Sequence, residues 1–213
     1  MPYLIALLVA LTTLTGCQST YYAAMEQVGV HKRNIMVDRV EDAKLSQQEA
    51  QQEFTSALDA LSALTQFDGG ELEAVYNQIN DKYEASEDAA QEVSDRIAAI
   101  EDVSAALFSE WEQELDLYTN ASLRRSSEQK LRETRTSYNT MIKAMQRAEQ
   151  RMTPVLNALR DNTLFLKHNL NASAIGSLQG EFVSLEKEIE QAIKQMNQAI
   201  TESDKFLNKL QAK

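Results

Sequence analysis

The sequence predicts an all-α protein, an elongated antiparallel bundle of about four long, coiled-coil-like helices that follows an N-terminal signal peptide. Three observations predict it. Apolar residues recur at alternating spacings of three and four along most of the chain, as in helices that pack on one another along a seam. The 213 residues include only two prolines and six glycines, while the good helix formers Ala, Leu, Glu and Gln are abundant. The breaks between periodic segments are short, so neighbouring helices of comparable length must run antiparallel.

The expected helices span residues 20–66, 71–119, 123–168 and 174–210, within one domain of residues 17–213. The first has the weakest seam, Val40, Ala43, Gln47, Ala50, Phe54, Ala57, Leu61 and Leu64, and Gly29 should loosen it near its start. The second runs Leu72, Tyr76, Ile79, Tyr83, Ser86, Ala90, Val93, Ile97, Ile100, Ser104, Leu107, Trp111, Glu114, Tyr118, with eleven of fourteen positions apolar. Leu131, Thr134, Tyr138, Met141, Met145, Ala148, Met152, Val155, Leu159, Asn162 and Leu166 form the third. In the fourth, nine of ten positions from Leu178 to Leu210 are apolar, and Ile193, Ile200 and Leu207 widen the stripe. That extra column argues for packing among three or more helices, since a two-stranded coil needs only the narrow seam. At 1.5 Å per residue each helix should be roughly 50–70 Å long.

Turn chemistry marks the joints. Asp68-Gly69-Gly70 offers the positive φ that ends a helix, and Glu71 favours the next N-terminus. Asn120-Ala121-Ser122 and Asn171-Ala172-Ser173 supply capping residues at the other two turns. Pro154 should kink the third helix or restart it behind Thr153.

Charge is unevenly spread over a chain of net charge −11. Asp38 to Asp116 holds 21 acidic and 4 basic residues, and Ala121 to Leu170 holds 10 basic and 4 acidic. The basic third helix should therefore pack beside the first two. Its first turns, LRRSSEQKLRETR, present Arg124, Arg125, Lys130, Arg132 and Arg135, which could meet anionic lipid, lipopolysaccharide phosphate or an acidic partner.

Residues 3–15 are uncharged and apolar, too short for a membrane span but suited to a signal-peptide core. The preceding Met1-Pro2-Tyr3 lacks the basic residues usual in a signal. Leu14-Thr15-Gly16-Cys17 resembles the lipobox of bacterial lipoproteins. That resemblance implies removal of residues 1–16 and acylation of Cys17, the single cysteine, giving a palmitate-type anchor. Two or more acyl chains hold a protein on a bilayer where one is marginal. Gln18, in place of Asp, implies the periplasmic face of the outer membrane more than the inner membrane. Tyr21 and Tyr22 would suit the interface, with the base of the rod against the bilayer.

Catalytic chemistry has little to work with. An acylated Cys17 leaves no thiol nucleophile, and zinc spacings, a P-loop and a dinucleotide fingerprint are absent from the sequence. His31 and His168 should lie at opposite ends of the bundle. The sequence offers no catalytic residues, no metal site and no cofactor site, and no enzyme activity is expected.

The stretches YYAAMEQVGVHKRNIMVDRVEDA, FDGGELEAVYNQINDKYE, YTNASLRRSSEQKLRETR and FLKHNLNASAIGSLQGEF resemble an uncharacterised family of proteobacterial lipoproteins, catalogued as a domain of unknown function. The resemblance implies a secreted, lipid-anchored helical protein and carries no activity or binding residue. The expected function is a non-enzymatic envelope spacer, scaffold or docking protein. Expected partners are the membrane, through the N-terminal lipid, and an envelope protein; nucleic acid is not expected, and a homo-oligomer is permitted. The alternative is a periplasmic carrier of a lipid or other apolar ligand, held between Met-rich and aromatic faces.

Overall fold

The computed structural model describes residues 16–27, 29–64, 72–169 and 172–211. They form α1 (Gly16–Gln27), α2 (Lys32–Leu64), α3 (Leu72–Leu115), α4 (Ala121–His168) and α5 (Ala172–Gln211). The helix α2 packs on α3 and α5, and α4 packs on the same two, so the four long helices close a ring in up-down-up-down order. The α3–α4 turn lies at one end, the base, with the start of α2 and the end of α5. Residues 1–15, 65–71 and 170–171 lie outside the described residues, and with them most of the expected signal segment, the expected Gly69-Gly70 break and Asn171.

The helices form where the apolar seams predict them, because burying those seams is what stabilises helices of this length. All ten seam positions of α5 from Leu178 to Leu210 are buried, Ser203 included, and Leu207 is buried beside them. Met141, Met145 and Met152 are buried too, so that stripe fills the core and does not line a groove. Near the base an aromatic chain ties three helices together. Phe108 of α3 meets Tyr138 of α4 edge-on at 5.4 Å, and Tyr138 meets Phe206 of α5 at 6.3 Å.

Polar seam residues are mostly satisfied within their own helix. Ser86 and Ser203 donate to the carbonyls of Lys82 and Ala199 at 2.8 and 2.7 Å, and the Asn162 amide donates to Ala158 at 2.7 Å. Gln47 differs: it is 0 % exposed, and neither its Nε2 nor its Oε1 has a partner. A buried unpaired amide costs about 1–3 kcal/mol. Gln47→Leu should therefore raise the urea-unfolding free energy, by about 1–2 kcal/mol. A variant less stable than the parent would show that the amide is satisfied in solution.

The structure departs from the sequence reading at three joints. The expected helix 20–66 is two helices, because the chain stops at Gln27 and restarts at Lys32. Gly29, at φ +83°, donates to the Glu26 carbonyl at 3.0 Å, and Val30 donates to Met25 at 2.9 Å. That pair of bonds is a Schellman motif, with Met25 and Val30 both packed against the core as its hydrophobic clasp. Gly29 thus does more than loosen the helix: it ends it. Next, α3 stops at Leu115 and not near residue 119, leaving Tyr118 exposed. The α4 N-terminus is capped as expected, Asn120 Oδ1 accepting from the Ser122 and Leu123 amides at 2.9 and 3.2 Å. Finally, of the two outcomes expected at Pro154, a kink or a restart, the restart does not occur, since α4 is continuous from Ala121 to His168.

Candidate functional site

The helix α1 folds back against α2 and α3. Tyr22 Oη donates to the Asp102 carboxylate, and Lys32 Nζ bridges Glu26 at 2.5 Å and Glu110 at 2.9 Å. Asp102 lies farther from the base than Glu110 on α3, and Tyr22 correspondingly precedes Glu26 on α1. So α1 runs toward the base, parallel to α3 and antiparallel to α2. This corrects the reading of Tyr22 as a membrane-interface residue: its ring is buried against the bundle, while Tyr21 stays exposed. Cys17, five residues before Tyr22, leaves from the α2–α3 flank. Measured along the axis, it is about 30 Å from Leu117 in the base turn, at 1.5 Å per helical residue. The Cys17 end of α1 is therefore beside the long helices and not at the base.

The cations expected to face an anionic surface are mostly occupied. Arg124 pairs with Asp116 at 3.0 Å, Arg132 with Glu128 at 3.4 Å, and Arg135 with Glu112 at 2.5 Å. The Arg135 guanidinium also sits 5.1 Å from the centre of the Phe108 ring. Arg125 and Lys130 have no ion pair among the described residues. The basic helix α4 does pack on the acidic α3, as its charge suggested, but α2 is diagonally opposite and meets α5 instead. Lys44 of α2 accordingly pairs with Asp204 of α5 at 2.6 Å.

A cavity of about 530 Å³ opens at the base, where α2 and α5 end and the α3–α4 hairpin continues. Leu107, Trp111 and Leu210 make its apolar wall, and Arg33, Lys130 and Lys209 face Glu110, Glu114 and Glu133 around it. Two of those cations are held by backbone carbonyls, Arg33 by Leu210 and Lys209 by Glu133 at 3.1 Å. Trp111 Nε1 donates to Ser127 Oγ at 2.8 Å, bracing the hairpin. An adjoining hollow of about 330 Å³ is lined by Glu26, His31 and Lys32. His31 caps α2, its carbonyl accepting from Asn34 at 2.8 Å, and His168 ends α4 at the far end. The two histidines are kept apart, as expected. Among the described residues no group of three or more His, Cys, Asp or Glu could hold a metal ion.

The α1 latch has a defined electrostatic signature. Burial, reinforced by the bond to Asp102, raises the Tyr22 phenol above its ordinary 10.0. Burial works against the Lys32 ammonium, but Glu26 and Glu110 outweigh it and raise that group above 10.5. The Lys32 bond lowers Glu26, whereas burial raises Glu110, so the two carboxylates act in opposite directions on stability at acid pH. Tyr22 and Lys32 act together. Each holds its proton more tightly in the folded state, so its contribution is fully present below its unfolded value and is lost as pH rises through the folded value. Above about pH 10, α1 docking should weaken. Hydrogen exchange of the α1 amides as a function of pH measures this, and Tyr22→Phe should flatten the dependence.

These latch residues are not legible as a unit in the sequence, since Tyr22 and Asp102 are 80 positions apart. A family model described as protein of unknown function, DUF2959, matches residues 21–210. The chain belongs to this family. No curated protein and no solved structure matches it. The DUF2959 match begins within α1 and ends at the last turn of α5, so it takes in the latch and the whole four-helix ring. No helix among the described residues is long and apolar enough to cross a membrane.

Proposed function

We propose that this DUF2959 protein is a lipid-anchored, non-enzymatic scaffold of the cell envelope, held by an acylated Cys17 at the periplasmic face of the outer membrane. The observation that carries the reading is Leu14-Thr15-Gly16-Cys17 at the end of the uncharged apolar stretch that starts at Tyr3. The fold supports a scaffolding role, because the interior is filled by its own seams and the long helices form a ring that presents extended polar faces. With α1 docked, the anchor is on the flank, so the bundle leans along the bilayer and does not stand upright on its base. That posture exposes α4 and α5 to a partner across the periplasm. Crosslinking in cells followed by purification tests the role: an envelope protein recovered above a lipidated control is expected, and recovery no greater than the control contradicts it.

A second reading, a carrier of a lipid or other apolar ligand, draws on the base cavity with its Trp111 and Leu210 wall. Its site would be there and not along the methionine stripe, which is buried. Native mass spectrometry after exposure to envelope lipids separates the two, since a scaffold stays ligand-free.

A further inference from the structure

The α3–α4 hairpin projects past its neighbours. Arg33, Glu110, Glu133 and Lys209 all line the base cavity, yet α2 begins at Lys32, one residue before Arg33, and α5 ends at Gln211, two after Lys209. From Glu133, α4 extends back to Ala121, about 18 Å at 1.5 Å per residue. Residues 121–126 and 128–130 are all exposed. At the tip of this projection stand three large apolar side chains: Leu117 is 79 % exposed, Leu123 57 % and Tyr118 41 %. They occur within seven consecutive residues. Scattered exposed apolar residues are ordinary, but a cluster on one projecting turn is not.

We propose that this turn is a membrane-insertion tip, with Leu117, Tyr118 and Leu123 entering the headgroup–acyl boundary of an anionic bilayer and Arg124 and Arg125 meeting lipid phosphates. The shape selects the occupant. A convex five-residue turn with apolar groups around its end suits a fluid bilayer, whereas a protein partner would need a matching concavity. The charge agrees: Asp116, the one acid in residues 116–125, is neutralised by Arg124 at 3.0 Å, which leaves the tip net basic on an acidic chain. Tyr118 has the apolar ring and polar end of an interfacial residue. Basic side chains beside a buried apolar group add attraction to anionic lipid. The inference builds on the membrane location proposed above and adds a second, non-covalent contact about 30 Å from the anchor. A second point of attachment on the same bundle would hold that lean more firmly than the anchor alone.

The test uses the whole chain carrying Cys17→Ser, with an environment-sensitive fluorophore on Leu123→Cys or, as the control, on the exposed Val183→Cys of α5. Vesicles of phosphatidylethanolamine and phosphatidylglycerol contain a doxyl-labelled lipid as quencher. Quenching at position 123 should exceed that at 183 at least threefold, and Leu117→Asp with Tyr118→Asp should abolish the difference. Both substitutions lie outside helices on exposed positions, and circular dichroism confirms that the fold is retained. Equal quenching at the two sites, no quenching at 123, or quenching that survives the two aspartates overturns the proposal. Because Cys17 is replaced, this outcome is independent of acylation, so the tip and the anchor can fail separately.

Discussion

Cys17→Ser is expected to move the protein from the membrane fraction to the soluble fraction once residues 1–16 are removed. The physical reason is the size of the term that is lost. Each methylene taken into the bilayer contributes about 0.8 kcal/mol, so two or three acyl chains outweigh any contact that the protein surface can make. The tip residues Leu117, Tyr118 and Leu123 bury far less and should hold only a small residual fraction. Fractionation in buffers of rising salt separates these contributions, because acyl burial is indifferent to salt whereas contacts of Arg124 and Arg125 with phosphate are screened. Retention equal to wild type at high salt would remove the anchor from the account. Since residues 3–15 are themselves apolar, the comparison must be made on chains shown to begin at the same residue.

The second large effect is on the fold. Phe206→Ala should lower the unfolding free energy by about 3–5 kcal/mol, which is a large share of the 5–15 kcal/mol typical of a domain. Phe206 is 0 % exposed and closes the aromatic chain that runs from Phe108 through Tyr138. Its loss leaves a cavity that rigid helices on three sides cannot collapse to fill. Val183→Ala on the exposed face of the same helix should change stability by less than about 0.5 kcal/mol. Urea unfolding of the two variants gives the comparison. Similar losses at both positions would mean that α5 is not seated by this seam.

The distinction between those two α5 positions was legible in the sequence. A seam that holds for ten consecutive positions leaves little doubt about which face is buried, because any other rotation would expose Phe182, Ile189 and Phe206 together. The break at Gly29 was visible only as a weak point. Whether a glycine loosens or terminates a helix depends on whether Met25 and Val30 can close the clasp against a core, and that requires the tertiary contact. The reversal of α1 follows from the clasp, so Tyr22 could not be assigned to Asp102 beforehand, and an exposed aromatic near a lipid site was the natural expectation.

The base region was hidden for a different reason. Helix lengths read from periodicity looked nearly equal, but α2 has 33 residues and α4 has 48. The difference arises because Gly29 diverts the start of the expected first helix into α1. Only the stagger among helices turns that difference into a projecting hairpin and a notch beside it. Arg124, Arg132 and Arg135 illustrate the same limit, since a run of arginines identifies a basic surface without showing which carboxylates it meets. Asp116, Glu128 and Glu112 answer that in the structure.

Intact-mass and peptide analysis of the N-terminus of protein taken from membranes tests the central claim most directly. The account predicts a chain beginning at Cys17 whose first residue carries diacylglycerol and, on its amine, a fatty acid. A chain that begins elsewhere, or a Cys17 that alkylates freely as an unmodified thiol, would contradict it.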